Sequence, residues 1–595
     1  MWLTGNVVLR PAKGWTINAD YTFNAYGQNL QNAVQKIYEY KPDGSYWLYP
    51  HTSTNAAESQ NNNDYYRALN VYTDYTISLG KNNFKAMVGY NQEVKTTSWF
   101  KAKRKELIDN EKPIIDLATG EMSVGGNQSS WAVQGVFARL NYNFDEKYYL
   151  EMNGRYDGSS RFAEGQRFDF FPSVSAAWRI AKEKFMDSVD WIDELKLRAS
   201  YGNLGNQAVG SDFPYLATYG INTSHDYILG SSKGVAISAP GLVSSAFTWE
   251  TVTQWNAGLD YAFLGNRLSG GFDIYNRFTK GMLTAGQPLP GTLGTGVPQE
   301  NAADLKTSGW EFSIEWKDNI GDFQYGANFV LSDSRTFITK FNNPTKQIGQ
   351  HYVGEELGEI WGFTADGLFQ SQSEIDNAAD MTAINGTPRN TGDVHFLDID
   401  GDNKVTYGNN TVDNPGDRKI IGNSSPRFQY GLNLNAAWKG FDFTVFFQGI
   451  GKRDIFPTGK YFGASGEWDL PLRDNLNFYR EADDFFEANT TNAVLPRPYL
   501  NGDHGNRTTS TLFLQNAAYL RVKQLTLGYT LPQSLLSKIR VSNARIYFTG
   551  QNLLTFTKLS KIYDPEVYNG GVVYVMDNHG YPVAKQYTFG INISF

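Results

Sequence analysis

The residues of this chain best placed for chemistry are four acidic side chains in one polar stretch. Asp398, Asp400 and Asp402 alternate in the run LDIDGDNKV, and Asp417 follows in the same segment. Carboxylates at alternating positions of a tight, glycine-containing turn converge on a hard cation such as Ca²⁺. The spacing departs from the EF-hand loop, because Asn403 stands where that loop has its glycine. We therefore predict a structural Ca²⁺ that fixes the position of a long loop, with a solvated acidic turn as the alternative.

A second group of candidate site residues consists of aromatic side chains in polar, loop-like segments. Aromatic rings stack on sugar rings and on peptide side chains, and neighbouring amides and carboxylates supply hydrogen bonds. Packing of loops against one another or against a partner protein would use the same residues, and the sequence does not separate these uses. The predicted substrate-binding residues are Trp47, Tyr49, Trp361, Tyr461 and Trp468.

The sequence shows no catalytic constellation. Its six histidines are scattered without the spacing of a metal site, and it has no cysteine. The glycine-rich run 291–296 lacks the strand–turn–helix context of a nucleotide-binding loop. A net charge of −8 argues against nucleic acid as a partner. We predict a protein that is not an enzyme, has no cofactor apart from the structural Ca²⁺ and binds no nucleic acid.

These candidates lie between segments that alternate between apolar and polar residues. The last nine residues, from Tyr587 to Phe595, place apolar side chains on odd positions and Thr, Gly, Asn and Ser on even positions. Period two is typical of a strand with one apolar and one polar face. Similar segments predict roughly 16–17 strands, most of about 9–12 residues, which is the length of a tilted membrane-crossing strand. No apolar run reaches the roughly 18 residues that a transmembrane helix needs.

The connections between the predicted strands alternate between short turns and long polar loops. Membrane barrels sort their connections in this way, with short turns periplasmic and long loops extracellular. We predict an all-β fold, a transmembrane antiparallel β-barrel, whose terminal strand runs from the outside to the periplasm. A short stretch from Glu183 to Glu194 is compatible with a helix. The predicted long loops are 27–64, 99–128, 205–248, 280–304, 338–425, 450–518 and 557–584.

Four blocks of the sequence resemble one family of membrane transporters. Within 136–206 the chain reads VFARLNYNFDEKYYLEMNGRYDGSSRF, and 416–449 reads GDRKIIGNSSPRFQYGLNLNAAWKGFDFTVFFQG. Residues 519–532 read YLRVKQLTLGYTLP, and 543–554 read NARIYFTGQNLL. The blocks resemble the SusC/RagA family of TonB-linked outer-membrane transporters of Bacteroidota, and they follow one another in the order of that family.

The resemblance implies energised import of oligosaccharides, or of peptides, across the outer membrane of a Gram-negative bacterium. It also implies a SusD-like surface lipoprotein over the loops and coupling to the TonB complex through an N-terminal region. Family members carry a signal peptide, a small β-sandwich, a plug and a barrel of about 22 strands. We expect the chain to be the C-terminal barrel portion, without those modules. The outer edge of the last strand is then expected to be unpaired, or paired improperly near residues 5–12.

Two alternatives of other classes stay open at the level of sequence. One is a passive outer-membrane porin, which a barrel without a plug would mimic. The other is a soluble, secreted, β-rich carbohydrate-binding protein or hydrolase, which would share the aromatic content of 15%. The sequence does not identify the substrate.

Overall fold

The computed structural model describes every residue except 223–234, 245–246, 287–288, 458, 463–472, 483–486, 500–501, 538–539 and 568–582. The fold is nearly all-β, and 17 strands belong to one large antiparallel sheet. These strands are β1 Trp2–Ala12, β2 Trp15–Val34, β3 Ala56–Leu79, β4 Asn82–Lys105, β5 Met122–Phe144, β6 Tyr148–Ser159, β7 Phe168–Arg179, β8 Ile192–Asn206, β9 Glu250–Phe263, β10 Leu268–Ala285, β11 Gln299–Ile320, β12 Phe323–Lys340, β13 Arg427–Trp438, β14 Phe441–Lys452, β15 Tyr519–Thr530, β16 Asn543–Thr557 and β17 Gln586–Ser594.

Smaller elements lie in the connections. Five two-stranded pairs join Tyr38–Tyr40 to Tyr46–Leu48, Gly220–Asn222 to Ala236–Ser238, Glu359–Phe363 to Arg418–Asn423, Ala365–Leu368 to Val394–Phe396, and Asp454–Ile455 to Gln515–Asn516. The α-helices described are α1 Gln372–Asn377, α2 Thr382–Asn385 and α3 Gln533–Leu536. The 3₁₀ turns described are Pro50–Thr52, Ile115–Leu117, Ile180–Lys182, Lys184–Met186, Gly291–Leu293, Gly459–Phe462 and Arg473–Leu476. Within the described part of the chain, no helix has both the length and the apolar character needed to span a membrane.

The chain divides into two compact units. The first comprises 1–178, 200–254 and 279–302, and the second comprises 179–199, 255–278 and 303–595. In the first unit β1 to β7 form an antiparallel meander in which each strand pairs with the next. In the second unit β11 to β17 do the same. The predicted terminal strand is confirmed as β17, which pairs with β16; the expectation about its outer edge stays a prediction.

One face of each meander is apolar and exposed. In the first unit Val88 of β4 lies between Thr73 and Ala138 of the neighbouring strands and is 50% exposed. In the second unit Phe589 of β17 lies opposite Phe548 and is 81% exposed. A continuous apolar surface of this kind is unfavourable in water and is what lipid contact requires of a membrane strand.

The opposite face of the first meander carries hydrogen-bonded polar side chains. Asn70 donates to Asp20 at 2.8 Å and Asn91 donates to Asn70 at 2.6 Å, which links β2, β3 and β4. Lys85 and Asp74 form an ion pair at 3.3 Å. Apolar and polar residues therefore alternate between two faces as the period-two pattern predicts.

The connections sort by length, as predicted. In the first unit β1 and β2 are joined by two residues, 13–14, whereas β2 and β3 are joined by 35–55. In the second unit 439–440 joins β13 to β14, whereas 341–426 joins β12 to β13. The first turn depends on Gly14, which has a φ of +81° and whose added Cβ would lie 2.3 Å from the Thr76 carbonyl oxygen.

Several strands are longer than predicted, and the predicted bounds of the first two long loops are wrong. β2 continues to Val34 and β3 begins at Ala56, so nearly half of the segment assigned to loop 27–64 is paired between these two strands. β4 and β5 likewise extend into the loop assigned to 99–128, through residues 99–105 and 122–128. The extensions of β2 and β3 carry polar residues on both faces, and those of β4 and β5 mix polar residues with exposed apolar ones such as Phe100 and Val124. The regular apolar alternation that marks a strand is therefore weak in them. Backbone hydrogen bonds hold them nonetheless, and the amide of Asn62 donates to Gln28 at 3.2 Å.

The helical expectation for 183–194 is also wrong. The structure has two 3₁₀ turns, Ile180–Lys182 and Lys184–Met186, and then enters β8 at Ile192. A stretch this short between two strands does not offset the cost of nucleating an α-helix.

Candidate functional site

The two longest connections of the second unit, 341–426 and 453–518, build a hydrophobic core of their own. Phe363 and Phe396 are fully buried, with ring centroids 5.4 Å apart. Phe513 joins them from the second connection. We refer to this cluster as the loop core; its buried members are Phe363, Phe369, Met381, Ile384, Val394, Phe396, Val405, Leu495 and Phe513. These connections are therefore folded, and they hold the candidate residues at fixed positions.

The fold brings together three of the four predicted metal ligands. Carboxylate oxygens of Asp398, Asp400 and Asp417 all lie within 4.8 Å of one another. Asp417 is fully buried, and its oxygens accept hydrogen bonds from the backbone N–H groups of Ile399 at 2.8 Å and Thr406 at 2.7 Å. Oxygen ligands in this arrangement suit a hard divalent cation.

The turn between these carboxylates is shaped by their own hydrogen bonds. Gly401 has a φ of +82°, and its N–H donates to Asp398 Oδ1 at 2.6 Å. The N–H of Asn403 donates to the other oxygen of Asp398 at 2.7 Å. Asp402 lies outside the group of three, and its Oδ1 accepts from the N–H of Lys404 at 2.8 Å. The role of Asp402 as a ligand stays a prediction.

The three carboxylates differ in electrostatic environment. The N–H of Gly401, and then that of Asn403, lower the pKa of Asp398. At Asp400 the N–H of Asp402 acts in the same direction, but desolvation and the charges of Asp402, Asp417 and Asp398 outweigh it and raise the pKa. A cation bound among them would remove this repulsion, because an opposite charge favours the ionised form.

Two of the predicted aromatic residues of the second unit, Trp361 and Tyr461, make contacts within the folded connections. The indole Nε1 of Trp361 donates to the Tyr352 hydroxyl at 3.3 Å. Tyr461 packs against the loop core with its ring 5.2 Å from that of Phe462, and burial raises the pKa of its phenol. Trp468 lies outside the described residues.

The other two predicted aromatic residues belong to the first unit. Trp47 lies on the short strand Tyr46–Leu48 and is 46% exposed. The carbonyl of Tyr49 accepts the N–H of Thr52 at 2.9 Å, which starts the following 3₁₀ turn. A role for any of the five aromatic residues in substrate binding stays a prediction.

Sequence reasoning missed a buried polar cluster beside the loop core. Asp393 is fully buried and accepts hydrogen bonds at 2.8 Å from the Asn506 amide, the Tyr499 hydroxyl and the N–H of Asn390. Desolvation raises the pKa of the Tyr499 phenol to about 12. The residues come from both long connections and follow no local motif, so no sequence signal could have found them.

Arg389 belongs to the same region and was missed in the same way. It is only 8% exposed, and its Nη1 donates to the carbonyl of His504. Its Nε and Nη2 have no hydrogen-bond partner among the described residues, and burial lowers the pKa of the guanidinium.

Comparison with known proteins identifies the family. Residues 3–553 match the family model described as TonB dependent receptor-like, beta-barrel. The chain belongs to this TonB-dependent receptor family. The TonB-dependent receptor barrel described here is accordingly an outer-membrane protein of a Gram-negative bacterium. Membership of this family also confirms two predictions: the fold is all-β, and the chain is not an enzyme.

Two curated relatives show how far the likeness of the TonB-dependent receptor barrel extends. It is 29% identical over 549 residues to TonB-dependent receptor P3 of Formosa agariphila, covering 88% of this chain and 52% of the relative. It is 27% identical over 556 residues to TonB-dependent receptor SusC of Bacteroides thetaiotaomicron, covering 89% of this chain and 50% of the relative. The chain spans about half the length of these relatives.

Solved structures confirm the fold. A chain in the structure of the RagAB peptide transporter aligns with a TM-score of 0.80 and 23% identity, covering 100% of this chain and 61% of that chain. The same assembly in its open-open state gives a TM-score of 0.79. The family model and the likeness to SusC, together with this fold, confirm the predicted SusC/RagA-like character of the TonB-dependent receptor barrel.

Proposed function

We propose that this chain forms the barrel wall of a TonB-dependent importer that carries oligosaccharides, or peptides, across the outer membrane. The observation that carries the proposal is the family match over residues 3–553, together with the likeness to SusC. In this proposal the long loops face outward and bind substrate. Energy from the TonB complex opens a path along the polar face of the sheet.

The proposed partner is a SusD-like surface lipoprotein that covers the long loops. The folded loop core supports this, because an ordered surface can dock a partner without first paying an ordering cost. Leu476 and Val494 add exposed apolar area in the second connection, at 54% and 56% exposure, and the N–H of Val494 donates to the neighbouring Asn477 carbonyl at 3.1 Å. Exposed apolar residues in hydrogen-bonded neighbouring segments suit a protein interface.

Uptake by intact cells tests the proposed function. Deleting the coding segment of this chain in its own bacterium is expected to abolish uptake of fluorescently labelled oligosaccharides that wild-type cells import. A protonophore is expected to stop uptake in wild-type cells as well, because import through a TonB-dependent barrel is energised. Uptake that survives the protonophore and follows the external concentration would favour the passive porin instead.

We also propose that Asp398, Asp400 and Asp417 hold a structural Ca²⁺ that stabilises the segment around them. The Asp398→Asn substitution is expected to weaken Ca²⁺ binding about tenfold or more, because it removes one carboxylate charge from the group. Trypsin cleavage after Lys404 reports the binding: Ca²⁺ should protect the wild-type chain, and EGTA should remove the protection. Asp376→Asn, which removes an exposed carboxylate of the same connection outside the group of three, is the matched control and should keep the Ca²⁺ protection. A wild-type chain cut equally fast with and without EGTA contradicts the proposal.

A further inference from the structure

A row of side chains crosses four strands of the first unit where the sheet continues beyond its apolar band. Gln28 of β2 lies opposite Asn62 of β3, Asn62 lies opposite Trp99 of β4, and Trp99 lies opposite Asn127 of β5. The registers are continuous, so these residues share the face of the sheet that carries Asp20 and its hydrogen-bonded neighbours. We call Gln28, Asn62, Trp99 and Asn127, together with Gln60 of the adjacent row, the amide platform.

Hydrogen bonds within the platform form a chain with free ends. Gln60 Nε2 donates to Asn62 Oδ1 at 2.7 Å, and Asn62 Nδ2 donates to Gln28 Oε1 at 3.2 Å. Among the described residues, Gln60 Oε1 and Gln28 Nε2 have no hydrogen-bond partner, which leaves an acceptor at one end and a donor at the other. A hydroxyl-rich ligand can use both kinds of group.

Trp99 supplies a flat apolar surface beside these amides. Its indole lies over Gly125, where an added Cβ would be 3.3 Å from Cη2 and 3.4 Å from Cζ3. Because glycine has no side chain, the ring can lie close to the backbone of the neighbouring strand. The indole remains partly exposed. An aromatic face flanked by amides combines stacking with directional hydrogen bonds.

The platform is neutral, and the charged residues of the two adjacent rows, Asp64 and Lys101, are each held in an ion pair. On one side Lys95 and Asp64 form an ion pair at 2.9 Å. On the other side Lys101 and Glu58 form an ion pair at 3.3 Å. A charged ligand would have to compete with these internal partners, whereas an uncharged ligand would not. The composition of the site therefore favours a ligand with many hydroxyls and no charge.

We propose that the amide platform binds uncharged oligosaccharides, with a sugar ring stacked on Trp99 and hydroxyls bonded to the amides. The proposal rests on the proposed function and narrows its substrate from oligosaccharides or peptides to neutral sugars. It places a binding site on the wall of the barrel itself, in the part of the sheet that continues beyond the apolar band.

Direct binding to the full chain in detergent micelles tests the platform. The probes are maltohexaose, laminarihexaose and xylohexaose, with a glycine–serine hexapeptide for comparison, measured by calorimetry. The wild-type chain is expected to bind at least one hexasaccharide more tightly than the peptide. Trp99→Ala is expected to weaken that binding about tenfold, and Trp99→Phe, which keeps an aromatic face, is expected to recover most of it.

The matched control is Phe100→Ala, which removes the next aromatic ring on the same strand but on the opposite face, where it is 59% exposed. It should leave binding unchanged, and heat-modifiable gel migration should show that each variant is folded. The proposal would be wrong if the wild type and Trp99→Ala bound the hexasaccharide with equal affinity. It would also be wrong if the wild type bound the peptide more tightly than every hexasaccharide. Neither result bears on energised uptake, because the cell experiment measures that uptake in the wild type. The proposed import function and the proposed sugar site can therefore be contradicted independently.

Discussion

Replacing Val88 by arginine is expected to destabilise the barrel by about 2–4 kcal/mol. Val88 lies near the middle of the apolar part of β4 and is half exposed on the apolar face. A guanidinium at this depth must be transferred into hydrocarbon or must thin the bilayer around it, and both cost free energy. The effect should appear as a lower denaturant midpoint for unfolding from lipid vesicles.

Val124→Arg is the matched control for this prediction. Val124 lies on β5, on the same face of the sheet as Val88, but in the extension that carries polar residues, and it is 76% exposed. If that extension stands in water, arginine is tolerated there with a change within about 0.5 kcal/mol. Equal destabilisation by the two variants would contradict the division of the face into a lipid band and an aqueous extension.

Replacing Asp393 by alanine is expected to unfold the loop core locally, with a loss of about 3–5 kcal/mol. The substitution removes a buried carboxylate that accepts three hydrogen bonds and leaves the donors of Asn506 and Tyr499 without their acceptor. Buried donors without partners cost more than the bond itself contributed. Hydrogen exchange in 361–396 should accelerate while exchange in β4 stays slow.

Asp376→Ala provides the control in the same connection. Asp376 is exposed on α1 and accepts one hydrogen bond, from the Gln372 side chain at 2.8 Å. Its loss should change exchange in the loop core little. Unchanged exchange in Asp393→Ala would show that the polar cluster does not hold the two connections together.

The sequence was sufficient to predict the strands wherever lipid dictates the residue type. In β17 an apolar side chain must face hydrocarbon at every second position, and the resulting alternation is visible without a structure. In the outer parts of β2 and β3 no such demand exists, because both faces are polar. Asn61 and Asn62 therefore read as loop although their backbones are paired with Asn29 and Gln28.

The candidate sites differ in how far apart their residues lie in the sequence. The proximity of Asp398 and Asp400 could be predicted because carboxylates two positions apart in a glycine-containing turn converge; their binding of a cation stays a prediction. The cluster around Asp393 could not, because its partners Tyr499 and Asn506 lie more than a hundred positions away. The amide platform was missed for a further reason: its row exists only once the register of four strands is known.

The amide side chains of the extended strands should make this part of the molecule insensitive to pH and to salt. Primary amides do not titrate, and hydrogen bonds between them are not ion pairs that dissolved salt screens. The contacts from Asn62 to Gln28 and from Gln60 to Asn62 should therefore hold alike in acidic, brackish or dilute surroundings. The extended strands should therefore keep their side-chain contacts when the medium around the cell changes. Ionic strength should weaken only the lysine–carboxylate ion pairs beside the amides.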